Sequence, residues 1–243
     1  MGYFLPNRNV VSGSRPEIAS TSVYSLLNMA IQQVIVDNFD LLRMFLDGIQ
    51  DFKNGGPLPE DPMLFVLCQY SQSSLSLHNS VGTNIPVVQI LNMSDREDTV
   101  VYFIDTQALK QDAFMFENER KFTLKKFLED KGVTKGVFDI HETSAALFDE
   151  FGLKLDGVTD IQLLELATRT GMREDRLSFA NCFGKEVSDY KLDERLTYTL
   201  QSDTVNLAAP DWSQRPLDKI ILFIGKSEIC AMPTLCLIKA RGQ

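Results

Sequence analysis

Residues 136–166 read GVFDIHETSAALFDEFGLKLDGVTDIQLLEL, and the change of hydrophobic period inside this stretch decides the fold. Gly136 to Ile140 is a short apolar run of strand length. Glu142 to Phe151 then shifts to helical spacing, with Ala145, Leu147, Phe148 and Phe151 set to face inward, and Gly152 supplies a helix stop. Val158 marks a second short strand. Asp160 stands where a carboxylate caps the first backbone N–H groups of a helix, read over Ile161 to Thr170 with Leu163, Leu164 and Ala167 toward the core. Strand, helix, strand, helix within one stretch is the alternation of an α/β domain.

Upstream, Met63 to Cys68 is a continuous apolar run, the pattern of a strand covered on both faces. Ile85 to Leu91 and Val100 to Ile104 read as strands joined by the charged turn Ser94 to Asp98, and a serine-rich loop precedes them. Two short helices follow, around Ala108–Phe114 and Phe122–Leu128, with Gly132 closing the second. Val34, Ile35, Phe39, Leu42, Phe45, Leu46 and Ile49 recur at helical spacing, so residues 34–49 are expected to form a helix whose apolar face needs its own domain or a partner. Downstream, Leu177 to Phe183 suits a helix, and Leu217 to Ile238 suits helices interrupted at Gly225 and Pro233. The expected organisation is a flexible leader over 1–21, a helical extension over 22–56 and one α/β domain over 57–243, with a mixed central sheet flanked by helices.

A chain of 243 residues supports a single well-filled core. Apolar types make up 44% and charged types 23%, ordinary globular usage that excludes a low-complexity chain. Twenty-four Lys plus Arg against thirty-three Asp plus Glu give a formal charge of -9, which argues against a protein that coats phosphate backbones. Cys68, Cys182, Cys230 and Cys236 lie in apolar surroundings away from His78 and His141, so thiolate and imidazole metal sites are excluded and inert, reduced thiols are expected. With no membrane span or secretory signal in view, the expected location is intracellular, nuclear or cytoplasmic.

Taken in order, FIDTQAL (103–109), FTLKKFLED (122–130), VFDI (137–140), AALF (145–148), FGLKL (151–155) and VTDIQLLE (158–165) resemble the middle of the 3'-5' exonuclease domain of the ribonuclease-D-like DEDD family, in its eukaryotic and fungal branch. The likeness continues through Arg215-Pro216-Leu217 and covers residues 60–238. It implies a ribonuclease-H-like 3'-5' exonuclease fold. Members of that family hold two divalent cations about 4 Å apart on carboxylates, one ion generating the attacking hydroxide and the other supporting the leaving oxygen. Carried over, the first-strand Asp-x-Glu pair falls on Leu67 and Gln69, the middle aspartate on Thr143, the late tyrosine on Ile224 and the last aspartate on Glu228. Only Glu228 keeps a carboxylate, and Gln69 offers a neutral oxygen that cannot offset an ion's charge.

The resemblance therefore implies a pseudo-exonuclease without a metal cofactor, acting as a protein-binding or scaffold subunit in an RNA or DNA processing or silencing pathway. Degenerate relatives that serve as dimeric adaptors imply a protein partner or self-association. The alternatives are a residual metal-dependent exonuclease and a nucleic-acid-binding adaptor. For the latter, Arg169, Arg173 and Arg176 follow spacings that one helical face would present together, with Arg215 as a fourth candidate, although Glu174 and Asp175 weaken the field. Asp139, His141 and Glu142 are candidates for a relocated acid–base or metal cluster; an exposed loop is the simpler account.

Overall fold

Among the residues described by the computed structural model, which are 31–55, 62–71, 84–93, 99–169, 175–187 and 210–241, there are six strands and eight helices. The chain enters through β1 (Gln32–Val36) and α1 (Phe39–Asn54), then forms β2 (Leu64–Gln69), β3 (Val87–Asn92) and β4 (Val100–Asp105). Short helices α2 (Thr106–Leu109), α3 (Asp112–Met115) and α4 (Leu124–Leu128) lead to β5 (Lys135–Val137), α5 (Ile140–Phe151), β6 (Val158–Asp160) and α6 (Ile161–Thr168). Helices α7 (Phe179–Val187) and α8 (Lys219–Arg241) complete it. The expectations for the leader 1–21, the serine-rich segment 72–83, the turn 94–98 and residues 189–209 lie outside the described residues.

One mixed sheet runs in the order β1-β4-β3-β2-β5-β6. β2, β3 and β4 pair antiparallel, whereas β1 lies parallel to β4, and β5 and β6 run parallel to β2. The chain thus leaves β2 on one side and returns on the other. The C-terminal ends of β2, β5 and β6 open at a common edge, where sheets of this kind leave a crevice.

Each sheet face carries its own core. Leu64, Val66 and Cys68 of β2 join α1, α4 and α5 on one face, and Phe65 joins Val87, Phe103, Trp212 and α8 on the other. That alternation along β2 is the two-residue strand period, and it turns Leu67 and Gln69 toward the α8 side.

The expected helix over 34–49 divides into a strand and a helix. Val34, Ile35 and Val36 pair with Tyr102, Phe103 and Ile104 of β4, as suits a β-branched run. Asn38 then starts α1 by accepting from the N–H groups of Asp40 and Leu41 at 3.1 and 3.0 Å. Leu42, Phe45, Leu46 and Ile49 are buried, each worth about 2 kcal/mol. Residues 32–54 therefore share a sheet and a core with the rest of the described chain.

Two helical faces also differ from the sequence reading. α5 buries Thr143, Ala146 and Leu147, while Ala145 is exposed and Phe148 is 52% exposed. α6 buries Ile161, Gln162 and Glu165 and leaves Leu163 outside. The carboxylate of Glu165 is tolerated there because Arg169 grips it with Nε at 3.0 Å and Nη2 at 2.5 Å. The caps behave as read. Asp160 accepts from Gln162 N at 2.9 Å and Leu163 N at 3.3 Å, and Gly152 closes α5 at φ 64°, a conformation that favours glycine.

α8 runs through both expected interruptions, with Pro233 inside it. Gly225 instead lets α8 approach β3, since a Cβ there would meet Gln89 Nε2 and lie 2.5 Å from the Trp212 ring. The Trp212–Arg215 turn is fastened to β4 by Arg215, which holds Asp105 through Nε at 2.6 Å and Nη2 at 2.8 Å.

Candidate functional site

A cavity of about 540 Å³ occupies the edge where β2, β5 and β6 end. Leu67, Cys68 and Tyr70 reach it from β2, Phe138 and Asp139 from the end of β5, and Gln162 from the start of α6. Thr143 and Glu142 of α5 and Arg176, Ser178 and Phe179 before and in α7 complete the wall. The parallel strands thus aim their following turns at one place.

Asp139 shapes the entrance. Its backbone takes φ 56° at the N-cap of α5 and its carboxylate accepts from Glu142 N at 3.2 Å. Arg176 Nη1 lies 3.9 Å from the same carboxylate, with the arginine side chain half exposed. Phe138 and Phe179 meet edge to face at 5.1 Å. Gln162 donates from Nε2 to Leu177 O at 2.9 Å, which leaves its buried Oε1 without a hydrogen-bond partner. Tyr70 Oη is also buried, next to the Thr143 hydroxyl. Burial holds the Tyr70 phenol above its ordinary range, the neighbouring Cys68 adds to the rise, and the Thr143 hydroxyl works against it.

Of the five positions carried over from the resemblance, two line the cavity and two others are hydrogen-bonded to each other. Gln69, near the cavity, donates from Nε2 to Glu228 Oε2 at 2.8 Å, and Leu67 lines the cavity two residues back on β2. Thr143 is buried on α5 and lines it as well. Ile224 lies one turn before Glu228 on α8 and is half-buried. Among the described residues no group of three or more His, Cys, Asp or Glu is arranged to hold a metal ion, Asp139, His141 and Glu142 included. The cysteines offer no nucleophile: burial pushes the Cys68 thiol up to about 12, helped by Glu150, and pushes Cys230 up to about 12 against the opposing charge of Lys226.

Two of the four arginine candidates are held in internal ion pairs. Arg169 is buried in its pair with Glu165 and also donates to Asp175 O at 2.9 Å. Arg215 is committed to Asp105 and to the carbonyl oxygens of Trp212 and Pro86. Arg176 is exposed, and Arg173 lies outside the described residues. Sequence reasoning missed Tyr70, Phe138, Phe179 and Gln162 as cavity residues. The available signal was topological, since each follows or ends an element that feeds the common edge.

No family model matches the chain and no curated protein matches it. Solved structures do. RNase D of Trypanosoma brucei, in its complex with RNA U12, superposes with a TM-score of 0.65 at 20% identity over 89% of this chain and 64% of that one. The chain has the fold of the RNase D exonucleases. The catalytic core of T. brucei RRP6 follows at 0.57 and 13% identity, over 88% of this chain and 47% of that one. Escherichia coli RNase D, an exoribonuclease involved in structured RNA processing, stands at 0.54 and 16% identity, over 88% of this chain and 45% of that one. The likeness is thus one of fold, shared by bacterial and trypanosomal proteins, and it singles out no eukaryotic or fungal branch. The chain spans less than two thirds of the length of these three.

The two-cation centre of such exonucleases does not fit the residues present. Hard divalent ions need several anionic oxygens. Here Leu67 has no donor atom, Thr143 has a hydroxyl, and the Gln69 amide turns its N–H to the surviving carboxylate of Glu228.

Proposed function

We propose that this protein is a pseudo-exonuclease: an RNase-D-like fold whose hydrolytic centre has been dismantled and which serves as a protein-binding or scaffold subunit in RNA or DNA processing or silencing. The observation that carries the reading is the Gln69–Glu228 hydrogen bond. One carboxylate that already accepts a hydrogen bond leaves too few anionic oxygens to hold two cations, and two-metal hydrolysis has no other generator of hydroxide at this place. Internal pairing of Arg169 and Arg215 and the formal charge of -9 favour a protein partner over nucleic acid. Among the described residues no helix is long and apolar enough to cross a membrane. An intracellular site of action, and descent from the eukaryotic branch that the central segments resemble, belong to this reading.

The test incubates the full chain with end-labelled single- and double-stranded RNA and DNA in magnesium or manganese. The expected result is no shortening from the 3' end. Stepwise release of nucleotides that is abolished by Glu228→Ala would establish the alternative, a residual exonuclease.

A further inference from the structure

We infer that the cavity at the ends of β2, β5 and β6 receives the guanidinium of an arginine side chain presented by a basic segment of a partner protein. The inference rests on the proposed role as a binding subunit and names what is bound. Its basis is an imbalance of hydrogen-bonding groups. Gln162 is 5% exposed, its Nε2 is tied to Leu177 O, and Oε1 is left as a buried acceptor with nothing to accept from. The donation to a carbonyl fixes which end of the amide is the oxygen. Tyr70 brings a buried hydroxyl to the same cavity, beside that of Thr143. Asp139 and Glu142 add two carboxylates to its wall, and Arg176 is the one cationic side chain among the lining residues.

Acceptors and negative charge thus exceed donors, so the complementary ligand is a donor-rich cation. A guanidinium carries five N–H donors and no acceptor, is planar and weakly hydrated, and packs against aromatic surfaces such as Phe138 and Phe179. A lysine ammonium is a compact, strongly hydrated charge and fits aromatic walls less well. A phosphate-bearing ligand would set its charge against Asp139 and Glu142, with only Arg176 to offset it. The pairing of Arg176 with Asp139 at 3.9 Å shows that the rim accommodates a guanidinium. A volume of about 540 Å³ leaves room for flanking peptide, and the net charge of -9 draws a basic segment toward the molecule.

Fluorescence anisotropy on the full chain tests this with a labelled Gly-Ser-Arg-Ser-Gly peptide, its Lys and Ala counterparts, and guanosine monophosphate as competitor. The Arg peptide is expected to bind about tenfold tighter than the Ala peptide, the worth of one charge-assisted contact, with Lys between them. Gln162→Leu should weaken it about tenfold, and so should Asp139→Asn with Glu142→Gln. Asparagine keeps the α5 cap and tolerates a positive φ, so that variant should keep its melting temperature. Arg176→Ala should tighten binding about twofold by freeing Asp139. Equal binding of the Arg and Ala peptides, equal binding of Arg and Lys, displacement by the nucleotide in preference to peptide, or indifference to both folded variants would each overturn the inference. Nuclease activity in the preceding assay would instead overturn the non-catalytic reading, so the two failures are separate.

Discussion

Gln69 Nε2 donates a 2.8 Å hydrogen bond to Oε2 of Glu228, joining the end of the central strand to the longest helix. In a metal-dependent exonuclease, side chains at such positions repel one another until cations bind between them. Here a neutral amide donor meets a carboxylate, and the sheet and helix are held by direct contact.

That contact should be measurable as a coupling. In a double-mutant cycle of Gln69→Leu and Glu228→Leu followed by urea unfolding, the interaction energy should be about 1.5 kcal/mol, the low end for a hydrogen bond to a charged group because the pair is only partly buried. Additivity of the two substitutions within about 0.3 kcal/mol would show that the contact contributes nothing.

Two glycines should respond oppositely to alanine. At Gly225 a Cβ would collide with Gln89 and the Trp212 ring where α8 crosses β3, so Gly225→Ala should cost about 1–3 kcal/mol. Gly48 lies inside α1 with nothing within 4 Å of an added Cβ, so Gly48→Ala should stabilise by about 0.5–1 kcal/mol. Thermal melts of the two variants should move in opposite directions.

The same contrast explains what was legible in the sequence. Strands whose apolar pattern is local, such as Leu64–Gln69 and Val100–Asp105, and caps such as Asp160 and Gly152 could be read because the physics that fixes them lies within a few residues. Phe148 and Leu163 were assigned inward because hydrophobicity alone cannot phase a short helix. Their exposure follows from caps and from partners distant in sequence: Thr143 and Gln162 are buried against the cavity, and Glu165 is buried only because Arg169 meets it. Gly225 reads as a helix breaker until Trp212 and Gln89 are brought beside it. Of the candidate site, Leu67, Gln69, Thr143 and Glu228 were visible through resemblance, whereas Tyr70, Phe138 and Phe179 join it only through the order of the strands.

Arg215 should behave as a structural residue. Removing it strands Asp105, which is almost fully buried, and frees the turn that carries Trp212. Arg215→Ala is expected to cost about 3 kcal/mol in chemical denaturation, the penalty of leaving one partner of a buried pair alone. If the variant is as stable as the parent and loses salt-dependent RNA binding instead, Arg215 is a phosphate contact.

Lys135 gives a pH signature. Its ammonium is fully buried and donates to the carbonyl oxygens of Phe127, Asp130 and Val133 at 3.3, 2.8 and 2.7 Å. Burial lowers its pKa to about 8, although Asp130 and Asp156 act in the opposite direction. Between about pH 8 and 10 the unfolded chain then holds the proton that the folded chain releases, so this residue makes stability rise with pH in that window. Buried Cys68 and Cys230, whose thiols are raised, act in the opposite sense once an unfolded thiol ionises. The informative quantity is therefore the difference between parent and Lys135→Met. The slope of stability against pH should be greater in the parent, by up to about 1.4 kcal/mol per pH unit. Parallel curves would show that Lys135 does not titrate in this range.

Introducing the carboxylates that the resemblance expects tests the proposed reading most directly. Leu67→Asp, Gln69→Glu and Thr143→Asp would add three carboxylates to Glu228, at the positions that the resemblance assigns to metal ligands. Without metal the triple variant should be less stable than the parent, because Gln69→Glu turns a hydrogen bond into a like-charge contact and Thr143 is buried. Manganese should reverse that loss: a ligand that binds only the folded state at a hundred times its Kd adds about 2.7 kcal/mol. The parent, with one hydrogen-bonded carboxylate, should melt at the same temperature with or without millimolar manganese. A metal-dependent rise confined to the triple variant would verify the assignment of Leu67, Gln69 and Thr143. A variant that folds yet ignores manganese would show that the ancestral ligands lay elsewhere, and a parent stabilised by manganese would contradict the reading of Glu228 as a carboxylate already engaged by Gln69.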